Sequence, residues 1–250
     1  MAKARILATR PEPLIGGLVR KLTAANFEAV PLPLLEIRPI DIHAEAAGVA
    51  RQLILNLDLF TKVIFISRNA ARIGSDLIDQ YWPQFPVGVD WFAIGAGTAA
   101  ELAKFGIEAQ VNTGLDSESL LAAPQLQDLA EQRILIVKGV GGRDLLAQTL
   151  EARGAKVDSL EVYDRVPCRY TNDELLTRLN GPIDAALISS GEALLAYTQL
   201  ERPVSDLILV PSERVADQAR ALDLTDIIVA QGASDEAMIA TLEQRFNQIP

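Results

Sequence analysis

Short apolar runs, strand-length and rich in Ile, Val and Leu, alternate along this chain with longer stretches of helical period. The runs are RILAT (5–9), KVIFIS (62–67), WFAIG (91–95), EAQV (108–111), RILIV (133–137), DAALIS (184–189), LILV (207–210) and DIIVA (226–230). Each leads into a turn of small or polar residues and then a helix. That alternation predicts βα units around parallel sheets. The runs are apolar throughout rather than at every second position, so helices are expected on both faces of each sheet.

The units recur. RILATRPEPLIGGLVRKLTAANFEAV (5–30) lines up without a gap, over most of its length, on RILIVKGVGGRDLLAQTLEARG (133–154), with Arg10 opposite Lys138. VIFISRNAA (63–71) pairs with AALISSGEA (185–193), placing Ser67 opposite Ser189. FAIGAGTAAELA (92–103) pairs with ILVPSERVADQA (208–219), and DSESLLAA (116–123) with SDEAMIAT (234–241). In both members of the last pair a Ser and acidic residues open a helix, as an N-cap would.

The order a–b–c–a–b–c leaves two partitions open. The domains are sequential, or the middle b–c–a is inserted into the other copy. One feature favours insertion. Each a unit ends in an extended segment, PLPLLEIRPI (31–40) or DSLEVYDRVP (158–167), kept out of helix by Pro31, Pro33, Pro39 and Pro167. Two such connectors suit a pair of strands crossing together. The stretches 41–60 and 168–180 each read as one helix.

Composition places the chain among ordinary globular proteins, at 49% hydrophobic and 22% charged over 250 residues. No apolar run nears membrane-spanning length, and the N-terminus shows no secretory h-region. With one cysteine, Cys168, and no signal, a reducing cytoplasm is the expected compartment. Cys168 and the single histidine, His43, offer no metal set, so none is expected. The net charge of −10 argues against a nucleic-acid partner.

In open parallel sheets, ligands bind at the carboxyl ends of the strands. There stand Arg10, Ser67, Arg68, Thr98, Lys138, Gly139, Arg143, Ser189, Ser212 and Arg214, with Arg165 nearby. Hydroxyls, cations and helix N-termini suit a ligand with several carboxylates. KGVGGRD is not a P-loop, and GAGTAA only approaches a dinucleotide fingerprint. No Ser–His–Asp set or carboxylate pair is spaced for acid–base work. Tyr163, in the second connector, could give a proton or hydrogen bond to a leaving hydroxyl, or simply pack its ring.

Taken together, ILATRP, PLPLLEIRP, VIFISRNA, AIGAGTAAEL, ILIVKGVGGRDLL, EVYDRVP, AALISSGEAL and VPSERVADQA resemble the uroporphyrinogen-III synthase family in order and spacing. The resemblance implies the insertion topology, two similar α/β domains, each a parallel sheet flanked by helices, joined by a two-stranded extended connector. The first domain would comprise 1–34 plus 170–250 and the inserted one 41–160, with connectors 35–40 and 161–169. It implies cyclisation of hydroxymethylbilane with loss of water and inversion of ring D through a spiro intermediate, without cofactor. It implies Tyr163 as the catalytic side chain and Ser67, Thr98, Ser117, Lys138, Gly139, Ser189 and Ser212 as substrate contacts, to which the repeat adds Arg10. A monomer is the expected state. Two other readings stay open: an anion- or sugar-binding module and a nucleotide-dependent transferase.

Overall fold

In the computed structural model, residues 3–111, 117–142, 144–202 and 204–247 are described. The chain runs β1 (Arg5–Ala8), α1 (Ile15–Ala24), β2 (Glu28–Pro31), β3 (Leu35–Pro39), α2 (Gly48–Leu55), β4 (Lys62–Phe65) and α3 (Arg68–Asp79). It continues with β5 (Asp90–Ala93), α4 (Ala96–Ala103), β6 (Gln110–Val111), α5 (Ser117–Leu121), β7 (Arg133–Gly139), α6 (Leu145–Ala152) and β8 (Lys156–Pro167). Last come α7 (Asn172–Leu179), β9 (Ala185–Leu187), α8 (Gly191–Thr198), β10 (Leu207–Val210), α9 (Glu213–Arg220), β11 (Asp226–Val229) and α10 (Asp235–Asn247). Two compact units result, Arg38–Arg165 and the residues on either side of it.

The outer unit holds a sheet ordered β11-β10-β9-β1-β2, with every pairing parallel. Period-two alternation sorts its strands between two helix layers. Ile6, Ala8, Leu207 and Leu209 pack with Leu18 and Leu22 of α1 and Met238 of α10. Leu7, Ala186, Ile208 and Val210 pack with Leu175, Leu194 and Val215 of α7, α8 and α9. β2 is a full parallel partner of β1, from Arg5↔Glu28 to Ala8↔Pro31. The sequence reading placed only the start of a connector at Pro31. Pro31 is tolerated because β2 is an edge strand.

The Arg38–Arg165 unit contains a sheet whose order is β3-β8-β7-β4-β5-β6. Its β8-β7-β4-β5-β6 part is parallel. Ile40 donates its N–H to Val162 O, and Cys168 donates to Leu34 O. Partner numbers fall as residue numbers rise, so β3 and β8 run antiparallel. Ile64, Phe92, Ile134 and Ile136 bury one face under α5 and α6. On the other face α3 comes so close that a Cβ on Gly74 would meet Val137 Cγ1 at 2.6 Å.

Residues 41–60 do not form the single helix that their apolarity predicts. A short 3₁₀ turn, Glu45–Ala47, precedes α2, and a second, Leu57–Leu59, follows Asn56. From Leu53 to Phe60 the buried residues are Ile54, Leu57 and Phe60, three apart, while Leu55 and Leu59 are exposed. That spacing is the 3₁₀ period and not the α period. In the 168–180 stretch the helix is α7, closed at its start by a reciprocal cap between Thr171 and Glu174.

Candidate functional site

Because all five strands of the outer sheet and the β8-β7-β4-β5-β6 part of the other run parallel, their carboxyl ends share one edge in each. In the outer unit the direction of progression reverses between β1 and β9; in the other it reverses between β4 and β7. Such switch points leave a crevice in which α/β sheets hold ligands. Arg10 and Ser189 flank the first crevice. Ser67 and the Lys138–Gly139 pair flank the second.

At the β4/β7 crevice, Ser67 is the N-cap of α3 and its Oγ accepts the Ala70 N–H at 3.0 Å. That same Oγ lies 3.1 Å from Tyr163 Oη. Arg165 donates to the phenol oxygen from Nη2 at 2.8 Å, its guanidinium 5.0 Å from the ring centroid. Tyr163 is 1% exposed. What aims it here is a bulge. The β7–β8 register runs Val137↔Leu160 and Lys138↔Glu161, then Gly139↔Tyr163, leaving Val162 as an extra residue. Val162 and Tyr163 are therefore both buried, and the ring lies over Gly139.

The glycines after β7 have separate reasons. Gly139 makes room for that ring. Gly141 and Gly142 have φ of 69° and 93°, where a side chain is strained. The Gly141 N–H is already taken by Glu161 Oε1 at 3.2 Å. Lys138, 8% exposed, has its Nζ 3.5 Å from Asp144 Oδ1. Arg143 lies outside the described residues. Gly97 serves packing too: the Arg68 guanidinium sits where its Cβ would stand. Thr98, one position on in α4, is buried. Ser117 opens α5, and its side chain lies outside the described residues.

The outer unit repeats the theme with different partners. Arg10 Nη2 donates to Ala233 O at 2.7 Å. Its Nε stands 2.9 Å from Asp235 Oδ1, but the N–H points off that oxygen, so the contact is an ion pair. Thr9, which the sequence reading did not single out, is fully buried and donates from Oγ1 to Leu187 O at 2.6 Å across β1 and β9. Ser190, not Ser189, caps α8 by accepting the Ala193 N–H. Ser189 and Ser212 are half-buried, and their hydroxyls bond no described residue. These are uncommitted donors at adjacent strand ends.

The clearest pKa perturbations lie away from these crevices. Burial pushes the Tyr170 phenol up to about 12, with Cys168 adding to it, and burial raises the Cys168 thiol. Tyr170 donates to Pro33 O at 2.7 Å. His43 is exposed in a turn where its N–H meets Asp41. Among the described residues no group of three or more His, Cys, Asp or Glu is placed to hold a metal ion, and no helix is long and apolar enough to cross a membrane.

Comparison with known proteins converges on one family. The family described as Uroporphyrinogen-III synthase HemD matches residues 17–240. The uroporphyrinogen-III synthase of Escherichia coli is 34% identical over 253 residues, covering 95% of this chain and 99% of that one. Its counterpart from Salmonella typhimurium is 32% identical, with the same coverage. Among solved structures, a mutant uroporphyrinogen III synthase from Thermus thermophilus has a TM-score of 0.61 at 16% identity, covering 98% of each chain. The uroporphyrinogen-III synthetase of Helicobacter pylori has a TM-score of 0.60 at 14% identity, covering 98% of this chain and 99% of that one. These two structures speak to the fold, and the sequence matches speak to descent. The chain belongs to the uroporphyrinogen-III synthase family.

Proposed function

We propose that this chain closes linear hydroxymethylbilane into uroporphyrinogen III, with loss of water and inversion of ring D. The observation that carries this reading is the family match over residues 17–240, supported by relatives at 32% and 34% identity along nearly the whole chain. The strand-end chemistry agrees with it. A polycarboxylate can be met by the Ser189 and Ser212 hydroxyls and by Arg10 and Lys138, with Ser67, Thr98, Ser117 and Gly139 bordering the same edges. Tyr163 is the source of a proton for the departing hydroxyl. The rest of the task is steering: the ends of the chain must be held so that attack at the substituted carbon of ring D wins.

We read the domains as 1–34 plus 170–250 and 41–160, linked through 35–40 and 161–169, and the working form as a cytoplasmic monomer without a nucleic-acid partner. A net charge of −10 supports the last point. Light scattering checks the monomer. For the activity, the chain is incubated with hydroxymethylbilane and the ratio of isomer III to isomer I is measured. Isomer III in excess over the uncatalysed background is expected. Isomer I alone sinks the proposal.

A further inference from the structure

A buried tyrosine raises the question of how its proton reaches a substrate. At 1% exposure, the Tyr163 O–H has to find its acceptor within the protein. Arg165 only donates, and it donates into the phenol oxygen. Ser67 Oγ, at 3.1 Å, is the acceptor within reach. Ser67 Oγ also accepts from Ala70 N–H. With both acceptor positions used, the serine's own proton has to point away from Tyr163 and from α3, and Ser67 is half-buried at the crevice.

We propose that Tyr163 acts through Ser67: the phenol donates to Ser67 Oγ, and the Ser67 O–H is the group that meets the leaving hydroxyl of the substrate. This rests on the synthase reading. In the step, the C–O bond of the hydroxymethyl group breaks and its electron pair leaves with the oxygen. Pyrrole ring electrons fill the vacated carbon. The departing oxygen takes the Ser67 proton and leaves as water, Ser67 takes the Tyr163 proton, and Arg165 holds the phenolate. Ring closure later releases a proton from a pyrrole carbon, which restores the phenol. Tyr163 and Arg165 are positioning residues, and Ser67 is the catalytic contact.

The test uses the full chain as Y163F, S67A, S67T and the Y163F/S67A double variant, with melting curves to confirm folding. S67A and Y163F should each lower kcat for isomer III by about 10²-fold, with KM little changed. The double variant should be no slower than S67A, because both act on one proton path. S67T, which keeps both cap and hydroxyl, should recover to within about threefold of wild type. Multiplying losses in the double variant, or an S67T as slow as S67A, overturns the proposal. A ¹³C label at Tyr163 Cζ gives an answer without turnover: its shift should move in S67A and return in S67T. An unchanged shift overturns the proposal, whereas a wild-type chain making no isomer III refutes the synthase reading instead.

Discussion

Gly139 lies beneath the ring of Tyr163, so close that a Cβ added there would stand 2.6 Å from Cζ and 2.7 Å from Cε2. Gly139→Ala should displace the phenol from Ser67. An overpacked site of this kind costs about 1–3 kcal/mol. Urea unfolding and isomer III formation measure the two consequences, and both should fall. Wild-type stability together with wild-type turnover would show that the ring contact is unimportant.

Ser189 and Ser190 are neighbours with opposite expectations. Ser190 caps α8, so Ser190→Ala should lose about 1 kcal/mol of stability. Ser189 and Ser212 commit their hydroxyls to nothing described. Ser189→Ala and Ser212→Ala should melt within about 0.5 kcal/mol of wild type while raising KM for hydroxymethylbilane. Steady-state kinetics beside thermal melts separates the cases, and an unchanged KM in both would remove these serines from binding.

Arg10 ties the chain after β1 to the start of α10 through Ala233 O and Asp235. Its side chain is 17% exposed and that of Asp235 is 11% exposed, so the pair is screened little by solvent. Arg10→Ala should cost about 2 kcal/mol, and Arg10→Lys should recover only part, since one ammonium does not reproduce both contacts. Denaturant midpoints of the three proteins test the ranking.

Two pH effects follow from groups outside the crevices. Glu174 is held below its ordinary range by the Thr171 backbone N–H and then by the Thr171 hydroxyl. A lowered carboxylate contributes stability above its unfolded value, and that contribution is lost as pH falls through the folded one. The destabilisation caused by Glu174→Gln should therefore shrink on acidification below about pH 4.

At the alkaline end the sign is reversed. Tyr170 is raised from 10.0 to about 12, chiefly by burial. The neutral phenol stabilises the fold fully below its unfolded value, and that stability disappears as pH rises through the folded one. Tyr170→Phe should flatten the loss of stability between those limits, as read by circular dichroism melts across that range.

Much of the fold was legible because its strands are short apolar blocks with clear ends. RILAT, KVIFIS, LILV and DIIVA became β1, β4, β10 and β11 within two residues. What escaped has local causes. β2 was hidden by Pro31, which ends a parallel edge strand without breaking it. The 3₁₀ turn after α2 was hidden because LILNLDLF is apolar enough for either helical period. The repeat placed Ser67 opposite Ser189, but the turn after β9 is one residue longer, so the structural partner of Ser67 as a cap is Ser190. An ungapped alignment cannot register that insertion. Nor could the sequence show that Lys138 and Arg10 each already face a carboxylate, because Asp144 and Asp235 reach them only through the fold.

Val162 does something a contact list hides: it changes the parity of β8. Up to it, the even-numbered Leu160 and Val162 are the buried residues; after it, the buried Tyr163 and the half-buried Arg165 take the odd positions. Tyr163 and Arg165 then share a face two residues apart, which is why the guanidinium reaches the phenol. Had the even count continued, Val162 would have stood opposite Gly139 and Asp164 two residues on, where Arg165 now lies. One supernumerary residue thus decides whether the serine's neighbour is a phenol backed by a cation or a valine backed by an anion. The sign of charge at this crevice is written in the spacing of the strand as much as in its letters.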